Sequence, residues 1–452
     1  MHLDGKSVLV IGAKRSGVAA TELALSCGAH VRVMDAQPLT PAEKETFQAL
    51  GVPTVAQKPE NVMNHGRDPD LIVLSPGVPY DLPLLTPART RGVAVMGEVE
   101  FASTFLKGPV IGITGSNGKT TTTALTGYLL KQCGIPCQVG GNIGTAVTSI
   151  IHSSREDQWN VLELSSFQLE SIARFHAKIS ACLNVTPDHL DRHHTFENYA
   201  MAKGRLFETQ DVSDFAVLNY DDETCRRYAE RTKAIIHWFS SSQAVPSGIW
   251  MNADRLFFNK KFFMDRSNIR LRGLHNVENV MAAALIAHLA GAPLDEIAGA
   301  AKSFPGVEHR LEFVRDLAGV EYYNDSKATN VDATLKAVDA FPGGLWIILG
   351  GKDKGSDYTP LREPLRQKAK SALLIGADPP YPYAAAPLIK KALNEALPVI
   401  DCGTLERAVH YARQYAEPGD VVLLAPACAS FDQFRDYEDR GNTFKHLVAE
   451  LF

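Results

Sequence analysis

Residues 110–123 read VIGITGSNGKTTTT. An apolar run gives way to two closely spaced glycines, and a lysine then opens a run of threonines. This order predicts a strand, a tight loop and a helix N-terminus, the arrangement in which backbone N–H groups can face an anion. The fold is thereby narrowed to α/β, with the loop at the carboxyl edge of an open parallel sheet. The common nucleotide loop carries a glycine five residues before its Gly-Lys pair. Here that position is Ile113, and Gly115 lies three residues before Gly118.

A shortened loop still meets the physical needs of phosphate binding. Gly115 and Gly118 free the backbone to wrap inward, so consecutive N–H groups through Ser116 and Asn117 are expected to face the anion. Lys119 aims a full charge at the terminal phosphates, Thr120 offers a hydroxyl to Mg2+, and Thr121 can bond a further phosphate oxygen. The bland alternative is an ordinary turn whose threonines merely open a helix. A second feature weighs against it: NVLELSS puts Glu163 at the end of an apolar run, where an acid is costly to bury unless it holds a metal.

At 452 residues, a prior of ~150 residues per domain predicts about three domains. The 46 basic and 51 acidic residues leave a net charge of -5 and imply no nucleic-acid partner. The first apolar run is too short for a signal segment, and no stretch approaches the ~18 apolar residues needed to cross a bilayer. No membrane insertion and a cytoplasmic location are expected. The seven cysteines are dispersed, and Cys133 and Cys137 lack a second ligand pair, so free thiols are expected rather than a zinc site.

Three blocks are expected, at 1–98, 99–306 and 307–452. The first opens with SVLVIGA, a helix-like SGVAATELALSCG and the strand HVRVMD, a β-α-β unit. Its turn GAKRSG resembles a dinucleotide fingerprint, and Asp35 ends the next strand where a ribose-binding acid belongs. Lys14, however, replaces the glycine that lets a pyrophosphate approach, which argues against hydride transfer to NAD. The second block holds the glycine loop, WNVLELSSFQLE, ISACLNVTPDHLDRHH and a buried Ala-rich helix in LRGLHNVENVMAAALIAHLAGA. In the third, GVEYYNDSKATN, GLWIILGGKDKGSD, KSALLIGAD and DVVLLAPACASFDQF again run from strands into polar or glycine-rich turns. No short-period repeat interrupts this series.

ITGSNGKTTT, GGNIG, LELSSFQLE, LNVTPDHLDRH, LHNVEN, HRLE, YNDSKATN, LGGKDKG, PACASFDQF and EDRGN follow in order a pattern that resembles the Mur ligases across essentially the whole chain. The resemblance implies three α/β domains: a Rossmann-like N-terminal domain for a UDP substrate, a central P-loop-type ATPase domain, and a Rossmann-like C-terminal domain for an amino acid. It implies an ATP-dependent amide ligase of peptidoglycan precursor synthesis, working as a monomer. NDSKATN and PACASFDQF point to the branch that joins D-glutamate to UDP-N-acetylmuramoyl-L-alanine through an acyl phosphate.

Roles are implied residue by residue. Thr120 and Glu163 would hold one Mg2+, and His189 and Lys203 a second, with Mn2+ as an alternative metal. A lysine ammonium repels Mg2+, so Lys203 would serve as a carbamate; read alone, it is an ordinary solvated lysine on a helix capped by Thr195. Asn276, Arg310 and Asp325 would contact the nucleotide. Lys327, Thr329, Lys354, Ser430 and Tyr437 would contact D-glutamate. Ser16, Asp35, Ser75 and Gly77 would hold the uridine nucleotide, with Asn142 beside the muramoyl-alanine. Gln37 and Ala425 depart from the pattern, where a basic residue and a serine are expected. The competing readings are another Mur ligase, a folylpolyglutamate synthase-like ligase, and a nucleotide-binding regulator without catalysis, for which the metal set would be needless.

Overall fold

The computed structural model describes residues 1–63, 68–142, 144–376 and 383–452, without the side chain of Asp191. Ile143 of GGNIG and residues 377–378 of KSALLIGAD lie outside this description. Over the described residues the fold is α/β with three sheets of five, nine and six strands. Chain contacts divide it into two compact units, 1–269 with 277–304, and 270–276 with 305–452.

In the first unit, the five-stranded sheet runs Thr54–Ala56, His30–Asp35, Ser7–Ile11, Leu71–Leu74, Ala94–Gly97, all parallel. Its apolar strands are covered on both faces, as the unbroken runs LIVL and SVLVI require. Strand order reverses between Ser7–Ile11 and Leu71–Leu74, so the turns after Ile11 and Leu74 diverge and leave a crevice.

The nine-stranded sheet places Val110–Thr114 between Ile179–Cys182 and Trp159–Glu163, with Cys137–Gly141 at the edge. Parallel registry sets Ile113 opposite Glu163. Beyond Ile235–Ser240, the strands Gly248–Asn252, Arg255–Phe258 and Lys261–Asp265 complete the sheet, the last two pairings antiparallel. The helix Glu98–Ser103 fastens the two sheets with buried carboxylates. Glu98 accepts the amide and hydroxyl of Thr148, both at 2.7 Å, and Glu100 accepts the amides of Ala173, Arg174 and Phe175, each at 2.9 Å. Burial raises the Glu98 pKa.

In the second unit the order is Glu312–Leu317, Val320–Asn324, Val421–Leu424, Leu345–Gly350, Ala369–Ile375, Val399–Gly403, antiparallel only in the first pairing. The three neighbouring strands that end at Asn324, Leu424 and Gly350 therefore open into the segments YNDSKATN, PACAS and GGKDKG side by side. Among the described residues no helix is long and apolar enough to cross a membrane.

Candidate active site

The strand Val110–Thr114 ends in the glycine loop, and the helix Lys119–Gln132 follows it, as the sequence predicts. Gly118 has φ +82, and a Cβ there would meet Asn279 Oδ1 at 2.2 Å, so no other residue fits this corner. One expectation needs correction. The amides of Ser116 and Asn117 do not face an open anion site: they donate to the carbonyl and side-chain oxygens of Asn184, at 2.9 and 2.8 Å. Asn184 stands just beyond the neighbouring strand and pins the loop, leaving the first turn of the helix to offer amides to a phosphate. The Ser116 hydroxyl is likewise engaged, with Thr186 and with the Tyr199 hydroxyl at 2.9 Å.

Lys119 folds back on its own loop, donating to the carbonyls of Gly115 at 2.8 Å and Ser116 at 2.9 Å. Thr120 and Thr121 are buried in the first helical turn. At the end of the adjacent strand, Glu163 is 2 % exposed. Its Oε1 accepts from Asn142 Nδ2 at 2.8 Å, whereas Oε2 is buried without a hydrogen-bond partner among the described residues. A buried carboxylate oxygen left in this state calls for a cation. Oxygen donors from Glu163 and Thr120 suit Mg2+, which fits these residues to a metal.

Lys203 is not the solvated lysine that its helix alone suggests. Thr195 does cap the helix Phe196–Gly204, accepting from the Asn198 amide. The Lys203 side chain, however, is 1 % exposed, donates to the Gly115 carbonyl at 2.9 Å and lies 4.5 Å from the centre of the Tyr199 ring. Burial, then the charge of Lys119, pulls its pKa down from 10.5 to about 7. His189 sits at the mouth in a left-handed conformation, φ 52, packed 4.8 Å from Phe167 and 6.4 Å from Tyr199. Tyr199, absent from the predicted set, thus links Ser116, Lys203 and His189.

The crevice of the five-stranded sheet forms a cavity of about 440 Å³. Ser16, Asp35, Ser75, Gly77 and Asn142, all singled out in the sequence, line it together. Asp35 accepts the amides of Ala13 at 2.7 Å and Gln37 at 2.8 Å, which fixes its carboxylate at the rim. Lys14 and Arg15 also line the cavity.

In the second unit, Arg310 and Asp325 interact electrostatically. Burial raises the Asp325 pKa from 3.8 to about 7, opposed by the charge of Arg310. Asn276 is buried and donates to the Arg272 carbonyl at 2.7 Å. The Lys327 ammonium lies 5.2 Å from the Tyr437 ring centre. Ser430 is buried, Thr329 is partly buried beside Lys327, and Lys354 is exposed.

Three family models match in succession: the Mur ligase MurD-like N-terminal domain at 6–97, the Mur ligase middle domain at 113–287, and the Mur ligase glutamate ligase domain at 309–428. The chain belongs to the Mur ligase family. It is 57% identical to the UDP-N-acetylmuramoylalanine--D-glutamate ligase of Solibacter usitatus, covering 100% of this chain and 99% of that protein. Identity to the protein of the same description from Koribacter versatilis is 48%, with the same coverage. Among solved structures, the UDP-N-acetylmuramate-alanine ligase of Thermotoga maritima shares the fold with a TM-score of 0.61 at 17% identity, over 98% of this chain and 99% of that one.

Proposed function

We propose that this protein is an ATP-dependent amide ligase that joins D-glutamate to UDP-N-acetylmuramoyl-L-alanine in peptidoglycan precursor synthesis. Full-length similarity to ligases of that description supports the substrate assignment. The observation that carries the chemistry is the glycine loop flanked by a buried carboxylate with an unsatisfied oxygen and by a buried lysine of lowered pKa. The matched stretches and the three sheets support a division into domains 1–98, 99–306 and 307–452.

A carboxylate and an ammonium do not condense in neutral water, because the leaving group is poor and the nucleophile is protonated. Transfer of the γ-phosphoryl group from ATP to the alanyl carboxylate removes the first obstacle, with ADP as leaving group. The amine of D-glutamate, having lost a proton, then attacks the acyl carbon. The tetrahedral species collapses to amide and inorganic phosphate.

Charge accumulates around the transferred group in both halves, so preorganised positive charge is the main source of acceleration. Lys119 supplies it by leaving the Gly115 carbonyl for a phosphate oxygen. Thr120 and Glu163 would hold one Mg2+ and His189 with carbamylated Lys203 a second; bound there, the metal neutralises phosphate charge. Mn2+ is an alternative for the histidine-containing set. A neutral Lys203 amine is the form that adds CO2, which its lowered pKa provides at physiological pH.

Ser16, Asp35, Ser75, Gly77 and Asn142 are assigned to the uridine substrate. Asn276, Arg310 and Asp325 are assigned to the nucleotide, and Lys327, Thr329, Lys354, Ser430 and Tyr437 to D-glutamate. The deciding experiment is phosphate release with ATP, UDP-N-acetylmuramoyl-L-alanine and either D- or L-glutamate. Release that requires D-glutamate supports the assignment; release with another amino acid gives the chain to a different Mur activity, and none at all leaves a non-catalytic nucleotide binder.

A further inference from the structure

Residues 438–442, EDRGN, take no part in the chemistry above, yet they bring a fully buried cation into the second unit. Arg440 lies in the first turn of the helix Tyr437–Ala449 and is 0 % exposed. Its Nε donates to Ser326 Oγ at 2.9 Å and its Nη2 to the Ser326 carbonyl at 2.8 Å. Both Nη atoms donate to the Cys428 carbonyl at 3.3 Å. All of these acceptors are uncharged. Burial pulls the guanidinium pKa down to about 10, opposed in part by the charge of Asp432, so the cation is held at a desolvation cost.

What that cation joins is informative. Ser326 immediately precedes Lys327, and Cys428 stands two residues before Ser430. The same two segments meet again where the Ala427 amide donates to the Ala328 carbonyl at 2.9 Å, and a third segment joins where the Lys352 amide donates to the Ala429 carbonyl at 2.9 Å. The Ser326 hydroxyl donates to the Tyr437 carbonyl at 2.7 Å, tying in the helix end whose ring faces Lys327. The following residue completes the joint. A Cβ on Gly441 would stand 2.2 Å from His309 Nδ1, and the His309 carbonyl accepts the Lys327 amide at 3.0 Å. A rigid planar fork with divergent donors fixes Ser326 and Cys428 in one relative geometry, which an ammonium with freely rotating donors holds less tightly.

We propose that Arg440 is a positioning residue for the amino-acid substrate: its guanidinium locks segments 326–329 and 428–430 together, so that Lys327, Thr329 and Ser430 present one preformed site to an acidic amino acid. This rests on the D-glutamate assignment above. The test uses the full-length enzyme with Arg440→Lys and, separately, Ser326→Ala, which keeps the guanidinium and removes one acceptor. Thermal unfolding establishes that each variant folds, and KM is measured for all three substrates by phosphate release.

Since small misplacements of binding groups are costly, Arg440→Lys should raise KM for D-glutamate about 10-fold or more, with KM for ATP and the uridine substrate within about twofold. Ser326→Ala should move the same constant in the same direction, by about threefold. An unchanged D-glutamate KM in folded Arg440→Lys overturns the assignment, as does a parallel rise for all three substrates. If Arg440→Lys does not fold, Ser326→Ala decides alone, and no change in its D-glutamate KM overturns it. Wild-type protein separates the two levels: turnover with a different amino acid refutes D-glutamate while the role of Arg440 is read on that amino acid, and no amino-acid-dependent turnover ends both.

Discussion

Lys119 and Lys203 donate to the same acceptor, the Gly115 carbonyl oxygen, at 2.8 and 2.9 Å. Two amino groups thus converge on one peptide group at the turn of the glycine loop. Repulsion between them helps to lower the Lys203 pKa, after burial. An arriving phosphate gives Lys119 a charged partner in place of a neutral one, so the geometry favours its release toward the nucleotide.

Lys119→Ala should therefore lose transition-state stabilisation of ~3–4 kcal/mol, roughly two to three orders of magnitude in turnover. Single-turnover phosphate release measures this directly. Turnover within twofold of wild type would remove Lys119 from the chemistry.

Lys203→Met should separate stability from activity. An apolar side chain of similar length replaces a buried amine whose charged form burial already disfavours, so folding should not suffer. Thermal unfolding should show no loss, while turnover falls at least about 100-fold, the scale of one lost electrostatic contributor. In Lys203→Ala, short carboxylic acids should restore part of the activity by standing in for a carbamate. Full activity without rescue would exclude a carbamate.

Glu163→Gln keeps the Asn142 contact in reach but removes the charge behind the unsatisfied Oε2. The Mg2+ concentration for half-maximal phosphate release should rise by at least about 10-fold, as expected on losing an anionic oxygen ligand from a hard-cation site. A Mg2+ titration of wild type and variant decides it, and coincident curves would assign the metal elsewhere.

Asp325 yields a prediction in pH. Its folded pKa, about 7, lies above the ordinary 3.8, so between these values the native state holds a proton that the unfolded chain has lost. Stability must then fall as pH rises through this window, and the deficit is complete above about 7. Asp325→Asn removes it, by roughly 4 kcal/mol at most on the scale of ~1.4 kcal/mol per tenfold in proton affinity. The variant should melt higher than wild type at pH 8 and together with it near pH 4. A difference in melting temperature that does not vary between these pH values would refute the assignment.

Much of this site is legible locally. Glycines, a lysine and threonines between a strand and a helix announce the loop, and Glu163 stands out as an acid closing an apolar run. Asp35 follows from a strand end, where parallel sheets open, whereas Ser16 and Ser75 come only with the resemblance to the Mur ligases. Asn184, Tyr199 and Arg440 were hidden because their partners lie 67, 83 and 114 residues away in sequence, beyond any local pattern. The amides of Ser116 and Asn117 read as open donors for the same reason, since only the folded chain brings Asn184 to them. Lys203 shows tertiary packing overriding composition: a lysine in a short polar helix reads as solvated until Tyr199 and the glycine loop close around it. The strands at 248–265 escaped because runs this short carry an ambiguous period.

The near-complete enclosure of the Lys203 amine also gives the molecule a history. On the carbamate reading, a dissolved gas must reach an atom that solvent scarcely touches, so exchange with the surroundings waits on local opening of the helix Phe196–Gly204. Two preparations of identical sequence will then differ in specific activity according to the bicarbonate present while each one folded, and brief dialysis will not erase the difference.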